Sequence, residues 1–224
     1  MDLIRIEGIE KRYQSGEGEV WALDHVNLTI DQGEFLAIVG PSGSGKSTLM
    51  NVLGCLDLPT GGAYYLKGEN VAQMTEDKLS KIRNTEIGFV FQGFNLIPTL
   101  DALENVELPL VYRRISRAER RQLSEEALVR VGLSDRMRHR PSQMSGGQQQ
   151  RVAIARAIAA HPPVILADEP TGNLDSKSGQ EVMQVLQELN EEGKTIILIT
   201  HDDKIASTAR RRIRLQDGKI VEIR

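Results

Sequence analysis

The apolar run Phe35 to Val39 leads directly into Gly40-Pro41-Ser42-Gly43-Ser44-Gly45-Lys46-Ser47, and the chain continues as the helical run Thr48 to Leu53. Those eight residues fit G-x-x-x-x-G-K-[ST], and a strand before with a helix after is the context that gives this pattern its meaning. Glycines let the backbone wrap phosphate oxygens without Cβ clashes, while the helix start adds aligned N–H groups and a positive dipole end. Lys46 is expected to neutralise β- and γ-phosphate charge, Ser47 to ligate Mg²⁺, and Thr48 to complete the nucleotide-binding set. This one feature restricts the fold to α/β and the ligand to a phosphorylated nucleotide.

A second segment supplies acid groups. Val164-Ile165-Leu166-Ala167-Asp168-Glu169 reads as a buried strand ending in two carboxylates. Asp168 is expected to hold Mg²⁺ through its coordinated water and Glu169 to orient the attacking water, because phosphoryl transfer needs a placed nucleophile more than a strong base. Gln92 follows the strand Ile87 to Phe91, and His201 follows Thr195 to Thr200. Ligands of open α/β sheets bind at the carboxyl ends of strands. Gln92 is therefore read as an amide-oxygen ligand of Mg²⁺ or water, and His201 as a donor to the γ-phosphate.

The rest of the chain sets the frame. Leu3 to Ile6 and Val26 to Ile30 read as strands, and the alternation of strands with helical stretches predicts a parallel sheet covered by helices. From about Asn95 to Ala160 no buried strand is apparent and Ser116 to Val131 is helical in period, so this stretch is expected to be a helical subdomain inserted in a single domain, 1–224. Arg212 to Leu215, the turn Gln216-Asp217-Gly218 and Lys219 to Ile223 predict a closing hairpin. The net charge of −3 draws the chain toward neither nucleic acid nor an anionic membrane, and the short basic runs Arg136 to Arg140 and Arg210 to Arg212 are read as solvated surface. The single cysteine, Cys55, fits a reducing, cytosolic setting as a buried thiol, and no window approaches the roughly 18 apolar residues a membrane span needs.

Met144-Ser145-Gly146-Gly147-Gln148 precedes the helical run Gln149 to Ala160 and places glycines, a hydroxyl and backbone donors at a helix start, a good anion site. It resembles the signature sequence of ATP-binding cassette (ABC) transporters, with methionine where leucine is usual. The resemblance covers essentially the whole chain and implies a mostly parallel phosphate-loop NTPase core with an N-terminal antiparallel β portion and a helical insertion. It further implies that Ser145, Gly146, Gly147 and Gln148 complete the ATP site of a second copy, so that two ATP molecules are sandwiched in a head-to-tail dimer. Tyr13 matches the family's adenine-stacking aromatic, with Trp21 its rival, and Gly172-Asn173-Leu174-Asp175 matches the loop in which Asp175 would link the two sites.

Ile87 to Gln92, Phe94 to Pro98, Glu104 to Leu110 and Pro170 to Asp175 are similar to the lipoprotein-release, macrolide-export and antimicrobial-peptide branch of that family. What this implies is an ATPase lying on the cytoplasmic face of the inner or plasma membrane. It would drive a separate transmembrane permease through a groove beside the apolar loop Phe94 to Leu100. No nucleic-acid partner is expected. Two other readings of the family stay open at this point: a soluble cassette acting on nucleic acid or ribosomes, and a non-enzymatic regulatory cassette.

Overall fold

The structure is a computed structural model, and it describes residues 2–16 and 18–224. Two long N-terminal strands, β1 (Asp2–Ser15) and β2 (Gly18–Asp31), pair antiparallel, and β3 (Phe35–Val39) leads through the glycine-rich loop into α1 (Lys46–Leu53). Next come β4 (Gly61–Leu66), β5 (Glu69–Asn70), α2 (Glu76–Thr85) and β6 (Ile87–Phe91). Three helices follow without an intervening strand: α3 (Ala102–Tyr112), α4 (Arg117–Arg130) and α5 (Gly146–Ile158). The chain then runs through β7 (Val164–Asp168), α6 (Ser176–Glu191), β8 (Thr195–Ile199), the short α7 (Asp203–Ala206), β9 (Arg211–Gln216) and β10 (Lys219–Ile223).

These strands form two sheets. A four-stranded antiparallel sheet has the order β2-β1-β4-β5, and a six-stranded sheet has the order β10-β9-β3-β8-β7-β6, parallel throughout except for the β9–β10 hairpin. β3 and β8, central in the larger sheet, are buried at every position, which is why they read as unbroken apolar runs rather than as alternation. One core cluster lies between the two sheets around α1, including Ile6, Leu23, Leu49 and Leu53. The other gathers Val90, Ile165 and Leu198 with Leu103, Leu128 and Val152, so the three-helix stretch shares its core with one face of the larger sheet.

Local chemistry sets the helix starts. Asp101 and Glu104 form a capping box at α3, Ser145 and Gln148 form one at α5, and the Asp175 carboxylate accepts from the Lys177 and Ser178 amides at α6. Cys55 is buried, and burial pushes its thiol up to about 11, so it is a packing residue. Among the described residues no helix is long and apolar enough to cross a membrane.

Candidate active site

The phosphate loop is shaped by what a side chain would strike. Gly45 has φ +102°, and a Cβ there would collide with the Ala22 carbonyl oxygen, so this position accepts only glycine. Lys46 folds back over the loop, its Nζ donating to the carbonyl oxygens of Gly40 (2.8 Å) and Pro41 (2.7 Å). Its ammonium is thus held at the mouth of the loop, where an incoming phosphate can compete for it.

Ser42, Gly43, Gly45, Lys46, Ser47 and Thr48 line a cleft of about 650 Å³ together with Gln92, Asp168, Glu169 and His201. Gly40, Pro41 and Ser44 of the same loop do not line it. The chain segments that follow β3, β6, β7 and β8 therefore converge on one cavity. Asp168 is pushed above the usual carboxylate range by burial and then by the charge of Glu169, with Lys46 acting against both. The oxygens of Ser47, Gln92 and Asp168 are hard donors that suit Mg²⁺, and their shared cleft fits an ion that keeps some water and phosphate ligands.

Glu169 adopts left-handed backbone geometry at φ +45°, which is strained for a carboxylate residue. Its amide donates to the Ile199 carbonyl, at the end of β8. Its Oε1 accepts from the His201 amide (3.0 Å) and meets His201 Nδ1 at 2.7 Å, while Oε2 accepts from Thr200 Oγ1 (3.2 Å). The carboxylate is held in place by three groups from the neighbouring strand end. His201, with its side chain 73% exposed, is lifted above the usual imidazole range by that hydrogen bond and then by the Glu169 charge. The protonated form is the favoured partner, so the stabilisation this pair adds is present below the free imidazole pKa and lost as pH rises through the raised pKa. NMR titration of the His201 ring should give a midpoint above that of a free imidazole, falling toward it in Glu169→Gln. An unchanged midpoint in that variant would show that the pair does not control the charge.

The structure adds contacts that the sequence does not assign. Asn173 Nδ2 donates to the Gln92 carbonyl oxygen (3.0 Å), Gln92 Nε2 donates to Asn173 Oδ1 (3.3 Å), and a Cβ on Gly172 would lie 2.7 Å from Gln92 Nε2. Arg156 donates to the carbonyls of Phe94 and Asn95. Buried Asn105 bonds to Ile97, Leu100 and Asp101, fixing the loop after Gln92. Each of these bonds ties a side chain to a distant or irregular segment, a relation that carries no spacing signal.

Two groups of expected residues lie elsewhere. Tyr13, 41% exposed, donates to Asp57 Oδ2 (2.9 Å), has Lys11 Nζ 5.1 Å from its ring centroid and does not line the cleft. Trp21, 42% exposed, does line it, with the Arg12 guanidinium 4.5 Å over its ring. The geometry therefore gives weight to Trp21 beside Tyr13. Ser145, Gly146, Gly147 and Gln148 do not line the cleft either. Ser145 is exposed, and its oxygen accepts from the Gln148 amide, leaving its O–H available to donate outward. Gly147 is packed so closely on α6 that a Cβ would sit 2.7 Å from Ser178.

Fold and cleft together define a phosphate-loop nucleotide-binding protein. A family model described as ABC transporter matches residues 23–172. The chain belongs to the ABC transporter family and is an ATP-binding, ATP-hydrolysing cassette of it. It is 57% identical over 220 residues to a macrolide export ATP-binding/permease protein, MacB 2, of Aeromonas hydrophila, covering 98% of this chain and 34% of that protein. The chain thus spans about a third of the length of that relative. It is 53% identical to the ABC transporter ATP-binding protein YvrO of Bacillus subtilis, covering 98% of this chain and 96% of that one. Among solved structures, a dimeric post-hydrolysis state of the ATP-binding cassette MJ0796 bound to ADP and Pi superposes with a TM-score of 0.91 at 50% identity, covering 99% of this chain and 97% of that one. MJ0796 is a protein of Methanocaldococcus jannaschii.

Proposed function

We propose that two copies of this chain close around two ATP molecules and that closure drives a transmembrane permease in the macrolide-export and lipoprotein-release manner. One observation carries the reading: Lys46, Ser47, Gln92, Asp168, Glu169 and His201 share a cleft that Ser145 to Gln148 of the same protomer do not line, while the exposed Ser145 hydroxyl keeps a donor for another molecule. The dimeric MJ0796 structure supports the pairing, and the joined ATP-binding and permease functions in the MacB name support the partner. Relatives named as transporter components favour this over a soluble cassette working on nucleic acid or ribosomes. The proposed place is the cytoplasmic face of the membrane, reached through the permease, with 95–160 moving as the subdomain that carries the signature.

Mechanistically, Lys46 and the loop amides hold the β- and γ-phosphates, and Glu169 holds the attacking water in line. His201 donates to the γ-phosphate, and the Ser145 and Gly147 of a second copy close the opposite side. Mg²⁺, when bound by Ser47, Gln92 and Asp168, would neutralise developing phosphate charge.

The permease would dock in a groove of about 290 Å³ lined by Asn84, Phe89, Phe91, Asn95, Pro109 and Ala157. Leu96, in the apolar loop beside it, packs against the helical core, whereas Ile97 is 41% exposed. Phe94 is half-buried near Gly146. The informative substitution is therefore Ile97→Asp rather than Leu96→Asp, which would place a charge against the core the side chain packs on. The purified chain should release phosphate from MgATP, and Ile97→Asp should lose permease copurification with its basal rate within about twofold, as surface changes away from the chemistry leave stability nearly unchanged. No phosphate release by the parent chain would overturn the ATPase reading. Normal copurification of Ile97→Asp would remove that loop from the docking surface.

A further inference from the structure

The hairpin joining β9 to β10 has a two-residue turn, Asp217-Gly218, with φ +48° and +75°, the geometry that matches the twist of its strands. The turn is not free at the surface. The Gly218 amide donates to the Ser44 carbonyl oxygen (3.0 Å), inside the phosphate loop, and the Gly218 carbonyl accepts from the Asp24 amide of β2 (2.9 Å). Lys219 Nζ adds an ion pair to Asp24 (3.0 Å). One residue thus stitches the phosphate loop to the strand that carries Val20, Trp21 and Ala22, which line the other side of the cleft.

The packing is close on both sides. A Cβ on Gly218 would stand 3.1 Å from the Ala22 carbonyl oxygen and 3.2 Å from Leu23 Cα, both backbone. The Ala22 carbonyl oxygen also abuts Gly45, and the Leu215 carbonyl oxygen in β9 abuts Gly40. Pushing Ala22 outward therefore moves the wall against which the start of α1 is seated. Ser44, whose carbonyl receives the Gly218 bond, has a buried hydroxyl with no hydrogen-bond partner among the described residues, so its side chain does not replace that tether.

We propose that Gly218 is a positioning residue for nucleotide binding: through Ser44 and Ala22 it sets the distance between the phosphate loop and β2, and so the affinity for the β- and γ-phosphates. It rests on the ATP-binding reading above and touches no nucleotide itself. Phosphate affinity depends on several amides pointing at one place, so a small displacement of the loop weakens all of them together.

Gly33 supplies the control. It has the same φ, +75°, in a turn where a Cβ would meet only the Gly193 carbonyl oxygen at 3.7 Å. Alanine brings similar backbone strain at both positions, but only at 218 does it press on the Ala22 backbone, whose carbonyl oxygen abuts Gly45 of the phosphate loop. Calorimetric titration with ATP and ADP, and steady-state hydrolysis of MgATP, should show Gly218→Ala raising Kd and KM about tenfold with kcat at saturation within about twofold. Gly33→Ala should lower Tm comparably with Kd unchanged. Should Gly218→Ala fail to fold, Gly218→Asn, which tolerates left-handed backbone better, takes its place with the same expectation. A lowered Tm with unchanged Kd and KM at 218 would reduce the residue to a structural glycine and overturn the proposal. Absence of ATP binding in the parent chain would instead count against the ATP-binding reading on which it stands.

Discussion

Glu169→Gln is expected to slow ATP hydrolysis by roughly a hundred- to ten-thousand-fold, the usual contribution of a positioned acid–base group, while ATP affinity stays close to that of the parent. The substitution is mild structurally. Glutamine keeps an oxygen where Glu169 Oε1 accepts the His201 amide, and the backbone bond to Ile199 does not involve the side chain. What it loses is the negative charge that faces the His201 ring and, in the proposed mechanism, the attacking water. Binding without turnover should leave an ATP-bound dimer that survives gel filtration, whereas the parent chain, which hydrolyses its ATP, elutes as monomer. A variant that turns over at the parental rate would remove Glu169 from the proposed role. One that neither binds ATP nor dimerises would show that the charge is needed to build the cleft.

How much of this was legible in the sequence depends on the range of the interaction. Phosphate loop, acidic strand end and signature were readable because each is a run of residues whose spacing is set by one turn or one helix start. The central strands β3 and β8 were readable because burial on both faces forbids polar residues. β4 was not placed, because Gly61 to Leu66 opens with two glycines and alternates in burial as a strand of a half-covered sheet. Its place in the sheet depends on pairing with β1, at the other end of a long stretch of chain. The same limit hid the contacts of Asn105, Asn173 and Arg156, whose partners are backbone oxygens and amides in irregular loops. It also left the choice between Tyr13 and Trp21 open. They lie on neighbouring strands with register shifts between Ile9 and Arg12, so alternation cannot say which ring faces the cleft.

The sharing of each site between two protomers has a test in which the competing arrangements give opposite results. Lys46→Ala should weaken ATP binding roughly ten- to hundredfold, the worth of charge-assisted hydrogen bonds to phosphate. Ser145→Arg should leave ATP binding by the isolated protomer within about twofold, since Ser145 does not line that protomer's cleft, but should cut hydrolysis roughly a hundredfold by putting bulk and positive charge where closure must occur. Pairing one Lys46→Ala chain with one Ser145→Arg chain, each with its own affinity tag, gives mixed dimers in which one shared site carries both substitutions. The other site keeps native Lys46 and native Ser145. If the sites form between protomers, this mixed dimer should occlude about one ATP, as a site free of lesions binds normally. A mixed dimer of the parent chain with the double variant Lys46→Ala, Ser145→Arg should occlude none, because each of its sites then carries one lesion. Sites built within single protomers would reverse the two outcomes. The comparison is insensitive to modest losses of stability, because both mixed dimers contain the same two substitutions and differ only in which chain carries them.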